Sequence, residues 1–180
     1  FNSIVTWFSY KTFGVSEWAI RTPNLLAFTL YMWYLYKFGQ FLSKRYLRWL
    51  FWILLTGAHY YLEFFAYCRG YGLSIAFLAA AMYHLINAGQ QKTGYYKSLC
   101  IGLFFIFLAT FSNLNLVVTY LIWIAVAMGV LIEKKERGKL LILFFLKAGL
   151  LFTFLTSLAF QLNSHEETPI GENSLLAFFD

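Results

Sequence analysis

The sequence predicts an all-α, polytopic membrane protein with about six transmembrane helices and an N-terminal amphipathic helix lying in the interface. Three observations carry that expectation. Apolar runs long enough to cross a hydrocarbon core of ~30 Å recur along the whole chain. Charged residues make up only 12% of the 180 residues, about half the share expected of a soluble domain, while 61% are hydrophobic. The charges that do occur sit mostly between the apolar runs, and the basic ones concentrate in alternate loops.

Taken in order, Phe1, Ile4, Val5 and Phe8 follow the i, i+3, i+4, i+7 spacing of one helix face, with Ser3, Thr6, Tyr10 and Lys11 on the rest. This fits an interfacial amphipathic helix and equally a helix packed on other protein. Gly14 ends it. Ser16 reads as an N-cap and Glu17 as a first-turn acid for a short helix carrying Trp18, Ile20 and Arg21. Thr22 and Pro23, cap and first helical residue, open the first span at 24–43. Tyr31, Trp33, Tyr34 and Tyr36 crowd one end of it like an interfacial belt, and Lys37 is placed to snorkel outward. The second span covers 46–62 and the third 71–88. The fourth, 98–112, is short at ~22 Å. Ser112, Asn113, Leu114 and Asn115 link it to the fifth, 114–132, as a tight hairpin, where Asn113 and Asn115 fit a turn-forming role better than the alternative of facing an outer cavity. The sixth span is 140–162, with Lys147 inside it. The whole of 1–180 reads as one membrane domain: outer-face interfacial helices over 1–23, membrane helices over 24–162 and an outer-face loop over 163–180. The start at Phe1 without a basic leader reads as the trimmed front of a longer protein.

The charges set the orientation. With the amino terminus outside, inner loops collect Lys37, Lys44, Arg45, Arg48, Lys92, Lys97, Lys134, Lys135, Arg137 and Lys139, whereas outer segments hold Lys11, Arg21 and Arg69. The net charge of +6 is therefore a topology signal and not a nucleic-acid surface. The expected location is the cell (inner) membrane, multi-pass, with the N-terminal segment on the non-cytoplasmic side. Cys68 and Cys100 fall near opposite ends of spans, which argues against a disulfide, and no Cys/His spacing of a metal site occurs.

The polar stretch from Tyr61 to Gly72 is the place to look for chemistry. Glu63 and Arg69 lie between two apolar runs on the outer face, where a guanidinium suits a phosphate and a carboxylate can orient a hydroxyl. A solvated helix end accounts for them equally. On one unbroken helix the two would point ~120° apart, so a direct pair needs the bend that Gly70 and Gly72 allow. Tyr61, Tyr67 and Tyr71 fit either a sugar–phosphate site or an interfacial belt. His59, one turn before Glu63, fits either the same face or ordinary packing. His84 reads as structural, and His165 with Glu166 and Glu167 as a solvated loop. No Ser-His-Asp arrangement, phosphate-cradling glycine loop or metal motif is present.

Two stretches carry a family resemblance. FGVSEWAIRTPNLLAF, residues 13–28, resembles the segment after the first outer loop of GT-C glycosyltransferases, including the mannosyltransferase-like and bacterial lipopolysaccharide-core-like integral membrane families. Phe13, Gly14, Ser16, Glu17, Arg21 and Pro23 match that pattern. YLEFFAYCRGYGLSIAFLAAAMY, residues 61–83, is similar to the family's "E…ARGYGL" segment, with Glu63, Arg69, Gly70, Tyr71, Gly72 and Leu73 in place and Cys68 where a small residue is usual. The opening FNSI resembles the residues just after a polar run in the family's outer loop. The resemblance covers most of 1–90 and the remainder by hydropathy only.

The resemblance implies transfer of a sugar from a polyprenyl-phosphate-linked donor to a glycan, lipid or protein acceptor on the non-cytoplasmic face. It places the family's acidic catalytic residue upstream of Phe1, so no catalytic residue is expected within the chain and the fragment alone should be inactive. It assigns Arg69 and Tyr71 to the donor phosphate, Glu63, His59 and Tyr67 to supporting roles, and Glu17 and Arg21 to bracing the outer loop. It implies no cofactor and leaves a divalent metal open; its partners are the lipid-linked donor, the acceptor and membrane lipids, with no nucleic acid. Two other classes compete: a transporter or flippase of lipid-linked sugars, and a noncatalytic membrane subunit or ligase-like polymer enzyme. A transporter should show repeats or Gly/Pro-broken helices in two halves, whereas this chain has two prolines and no repeat.

Overall fold

The computed structural model describes residues 2–14, 17–57, 63, 65, 71–134 and 138–164. Every regular element among them is helical. The chain forms two compact units, Phe1–Glu136 and Arg137–Asp180. The first holds α1 (Asn2–Phe13), α2 (Glu17–Gly39), α3 (Arg45–Gly57), α4 (Tyr71–Gln90), α5 (Tyr95–Ser112), a 3-10 turn (Leu114–Leu116) and α6 (Val117–Glu133). The second holds α7 (Gly138–Ser164), with Lys147 exposed inside its apolar stretch.

Among the described residues, four helical stretches are long and apolar enough to cross a membrane: Tyr71–Gln90, Tyr95–Ser112, Leu114–Glu133 and Leu140–Ser157. They correspond to the third to sixth expected spans. The first two differ. A single helix, α2, runs through Pro23 where two helices were expected. Pro23 is the seventh residue of α2, so it forgoes the bond to the Ala19 carbonyl and its ring crowds that carbonyl, and the packing of α2 on α1 and α4 offsets this cost. The helix also stops at Gly39 rather than at 43, because the chain tightens into i→i+3 bonds, from Gln40 N to Lys37 O, Phe41 N to Phe38 O and Leu42 N to Gly39 O. Its tyrosines, Asn24 and Pro23 keep α2 less apolar than the four. α3 has 13 described residues, ~20 Å of helix; the rest of the second expected span, 58–62, lies outside the described residues. The fourth span is not short: α5 has 18 residues, ~27 Å. It begins at Tyr95 because Gly94 turns the chain at φ 79° and its carbonyl accepts from Ser98 N at 3.3 Å.

α1 packs along α2. Phe8, assigned to its apolar face, is exposed beside Trp7 and Tyr10, while Ser9 is buried. The turn between α5 and α6 is organised by Asn113, whose side-chain oxygen accepts from Asn115 N at 3.2 Å, so Asn113 does form the turn.

The α4–α5 hairpin is the centre of the first unit. α4 and α5 pack against each other, and Ala76, Ala80, Ala81 and Ala88 of α4 and Gly102 and Ala109 of α5 are all buried, small residues of the kind that let backbones approach closely. Trp123 of α6 lies over Gly102, where a Cβ would come within 2.6 Å of the indole, and its Nε1 donates to Ala81 O at 3.2 Å. Side-chain contacts fix the helix directions. Ala27 and Tyr31 share a buried cluster with Leu73 and Ala76, and Phe38, further along α2, meets Tyr83, further along α4, so α2 runs parallel to α4. Trp52 meets Leu35 while Leu55 meets Tyr31, so α3 runs antiparallel to α2. Lys134 Nζ donates to Gly89 O at 2.9 Å, so α6 ends beside the end of α4. One end of this unit therefore carries Lys37, Lys44, Arg45, Arg48, Lys92, Lys97 and Lys134. The opposite end carries Arg21, Glu63, Tyr71 and the Asn113 turn.

Candidate functional site

Phe65 anchors the segment that bears Glu63. Its ring packs at 5.3 Å against Phe28 and at 5.4 Å against Tyr31, both on α2. Glu63, two residues earlier, is helical and half-buried. Tyr71 is the first residue of α4 and is 39% exposed, with its carbonyl accepting from the Ser74 hydroxyl at 2.8 Å. Glu63 and Tyr71 thus share one end of the bundle with Arg21, which is exposed in the second turn of α2. Arg69, His59 and Tyr67 lie outside the described residues, as does Tyr61. Glu17 begins α2, and its side chain also lies outside them.

A second feature is a groove of about 320 Å³ between α2 and α3, lined by Met32, Leu35, Tyr36, Trp49, Trp52, Ile53 and Thr56. Its aromatic wall is held in place from several sides. Trp52 Nε1 donates to Leu35 O at 3.1 Å, its indole stacks on Tyr36 with centroids 5.7 Å apart, and Trp49 meets it edge-on at 5.3 Å.

A third feature joins α2, α4 and α5. Tyr34 Oη lies 3.1 Å from His84 Nε2, and His84 Nδ1 lies 3.2 Å from Ser98 Oγ. Ser98 Oγ donates to His84 O at 3.0 Å and accepts from Asn87 Nδ2 at 3.4 Å. The imidazole stacks on Phe105 at 5.9 Å and 11°, and Lys37 lies 5.4 Å from the centre of the Trp33 ring and 5.6 Å from that of Tyr83. Lys37 therefore sits between two aromatic rings. The serine hydrogen is committed to a carbonyl, so the pair is not an activated nucleophile. Its chemistry is that of a satisfied polar clasp inside an apolar bundle.

Sequence reasoning read His84 as structural without finding its partners. A usable signal was there: His84 and Asn87, three apart on one apolar helix, face Ser98 in the first turn of the next helix of a tight hairpin. Tyr34 lies fifty residues away and carries no such signal. Among the described residues no group of three His, Cys, Asp or Glu is placed to hold a metal ion. No family model, curated protein or solved structure matches the chain.

Proposed function

We propose that the chain is part of a GT-C type integral membrane glycosyltransferase, moving a sugar from a polyprenyl-phosphate-linked donor to an acceptor on the non-cytoplasmic face. The observation that carries this reading is the placement of Glu63 and Tyr71 at the end of the bundle opposite Lys37, Lys44, Arg45, Arg48, Lys92, Lys97 and Lys134. Under the positive-inside rule that end faces away from the cytoplasm. In this reading α2 and α3 complete six spans, α1 lies in the interface, and the membrane is the cell's inner one.

The Arg69 guanidinium and the Tyr71 hydroxyl hold the donor phosphate, with Glu63, His59 and Tyr67 around them and Glu17 and Arg21 bracing the neighbouring loop. The bond from the sugar's anomeric carbon to the phosphate oxygen breaks, and one to the acceptor oxygen forms. The acceptor's proton passes to an acidic side chain ahead of Phe1, and the polyprenyl phosphate leaves with its charge met by Arg69.

The test is reconstitution of the full-length protein with a radiolabelled polyprenyl-phosphate sugar. Transfer should fall about a hundredfold or more in Arg69→Ala and less in Glu63→Ala, with folding intact. Normal transfer by Arg69→Ala removes the phosphate site. Movement of labelled lipid across the bilayer without transfer replaces this reading with a transporter.

A further inference from the structure

The groove between α2 and α3 is lined by uncharged residues, and the start of α3 beside it is basic. On α3, Arg45, Trp49, Trp52 and Thr56 recur at i, i+4, i+7 and i+11, so they form one narrow stripe along the helix. Trp49, Trp52 and Thr56 line the groove, which puts Arg45 on the same stripe one turn beyond its basic end. Arg45 is exposed and makes no hydrogen bond, ion pair or ring contact among the described residues. Its neighbours are engaged. Arg48 Nη2 donates to Leu42 O at 3.1 Å, and Lys44 lies over Tyr46 at 5.9 Å. No acidic side chain falls between Lys37 and Gly57, so nothing local neutralises this cluster.

We propose that this groove binds one anionic glycerophospholipid, with an acyl chain against Tyr36, Trp49, Trp52 and Ile53 and the headgroup phosphate on Arg45. The two halves of the site match the two halves of such a lipid. The groove wall is apolar and is held open by the fixed Trp52 indole, so it offers an aliphatic chain a preformed surface. A free guanidinium at its end offers a phosphate paired donors. Basic residues at a helix end attract anionic lipid in this way, and Lys44 and Arg48 add to the local positive potential. The Arg45 end of this site lies at the opposite end of the bundle from Glu63 and Tyr71, and the site stands whether or not the chain transfers sugars.

Native mass spectrometry of the full chain, released from detergent containing equal amounts of phosphatidylglycerol and phosphatidylcholine, tests it. One phosphatidylglycerol should be retained over phosphatidylcholine by about fivefold for each cation engaged. Arg45→Gln should bring the two lipids to equal retention. Ile53→Trp, which fills the groove and leaves the charge intact, should lower phosphatidylglycerol retention. Glycerol phosphate, the headgroup without chains, should not displace the lipid. Equal retention of both lipids by the unaltered chain, retention of neither because protein covers the groove, an undiminished preference in Arg45→Gln, or displacement by glycerol phosphate each overturn the proposal. The comparison of the two lipids on the unaltered chain decides the matter even where a variant fails to fold.

Discussion

Tyr34 and His84 meet across fifty residues of sequence, with 3.1 Å between the phenolic oxygen and Nε2. The partners around them dictate who donates. Ser98 gives its hydrogen to the His84 carbonyl, so it can only accept from Nδ1. His84 is therefore the Nδ1–H tautomer, and its Nε2 accepts from Tyr34. Nitrogen NMR of labelled histidine should show a protonated Nδ1 and an unprotonated Nε2; the reverse assignment would sink this argument.

Removing parts of that clasp should rank by how many buried groups lose a partner. Tyr34→Phe orphans one acceptor and should cost about 1 kcal/mol. Ser98→Ala strips partners from His84 Nδ1, the His84 carbonyl and Asn87, and should cost about 1–3 kcal/mol. Reversible unfolding in mixed detergent micelles reads both. Equal, negligible losses would mean that water replaces the clasp.

Gly102 should be the least replaceable glycine in the α4–α5–α6 contact. A Cβ there would meet the Trp123 indole at 2.6 Å and the His84 Cβ at 3.2 Å. The indole cannot swing away without losing its bond to Ala81 O. Gly102→Ala should destabilise by about 1–3 kcal/mol. Gly129→Ala on α6, where nothing lies within 4 Å, should be neutral or stabilising by about half a kcal/mol or more. The same unfolding assay compares them, and equal effects would contradict the close approach.

The helices most legible in the sequence were α4, α5, α6 and α7, because their apolar runs are bounded by the polar stretches at Gly89–Gly94 and Glu133–Gly138 and by the Asn113 turn. Local signals misled where they competed. Glu17 and Pro23 each read as a helix start, and only the first is one: the packing of α2 on α1 and α4 carries the helix through the proline despite its cost. The groove and the polar clasp were not legible, since both depend on which faces of α2, α3, α4 and α5 meet. Period alone does not report that pairing. Glu63 and Tyr71 could be placed at one end by counting spans, but the anchoring of their segment by Phe65 could not.

The proposed sidedness rests on the distribution of cations and can be tested directly. In a background with Cys68 and Cys100 replaced by serine, Lys92→Cys lies in the exposed α4–α5 turn and Asn115→Cys in the exposed turn after α5. In intact cells a membrane-impermeant maleimide should label the second and spare the first until the membrane is opened. The opposite pattern would invert the topology and move Glu63 and Tyr71 to the cytoplasmic side.

Phe65 should govern activity without touching substrate. Its ring holds the Glu63 segment to α2 through Phe28 and Tyr31, and Tyr31 is itself buried. Phe65→Ala should loosen that attachment and cost about 1–3 kcal/mol, below the 3–5 of a fully buried ring because Phe65 is only half-buried. In the sugar-transfer assay kcat should fall about tenfold with a smaller change in KM, as a misplaced but intact site would give. Phe65→Leu, which keeps an apolar plug of similar reach, should restore most of the loss. If the alanine variant is destabilised as expected yet transfers sugar normally, the position of Glu63 is immaterial to the chemistry and the supporting role assigned to it falls.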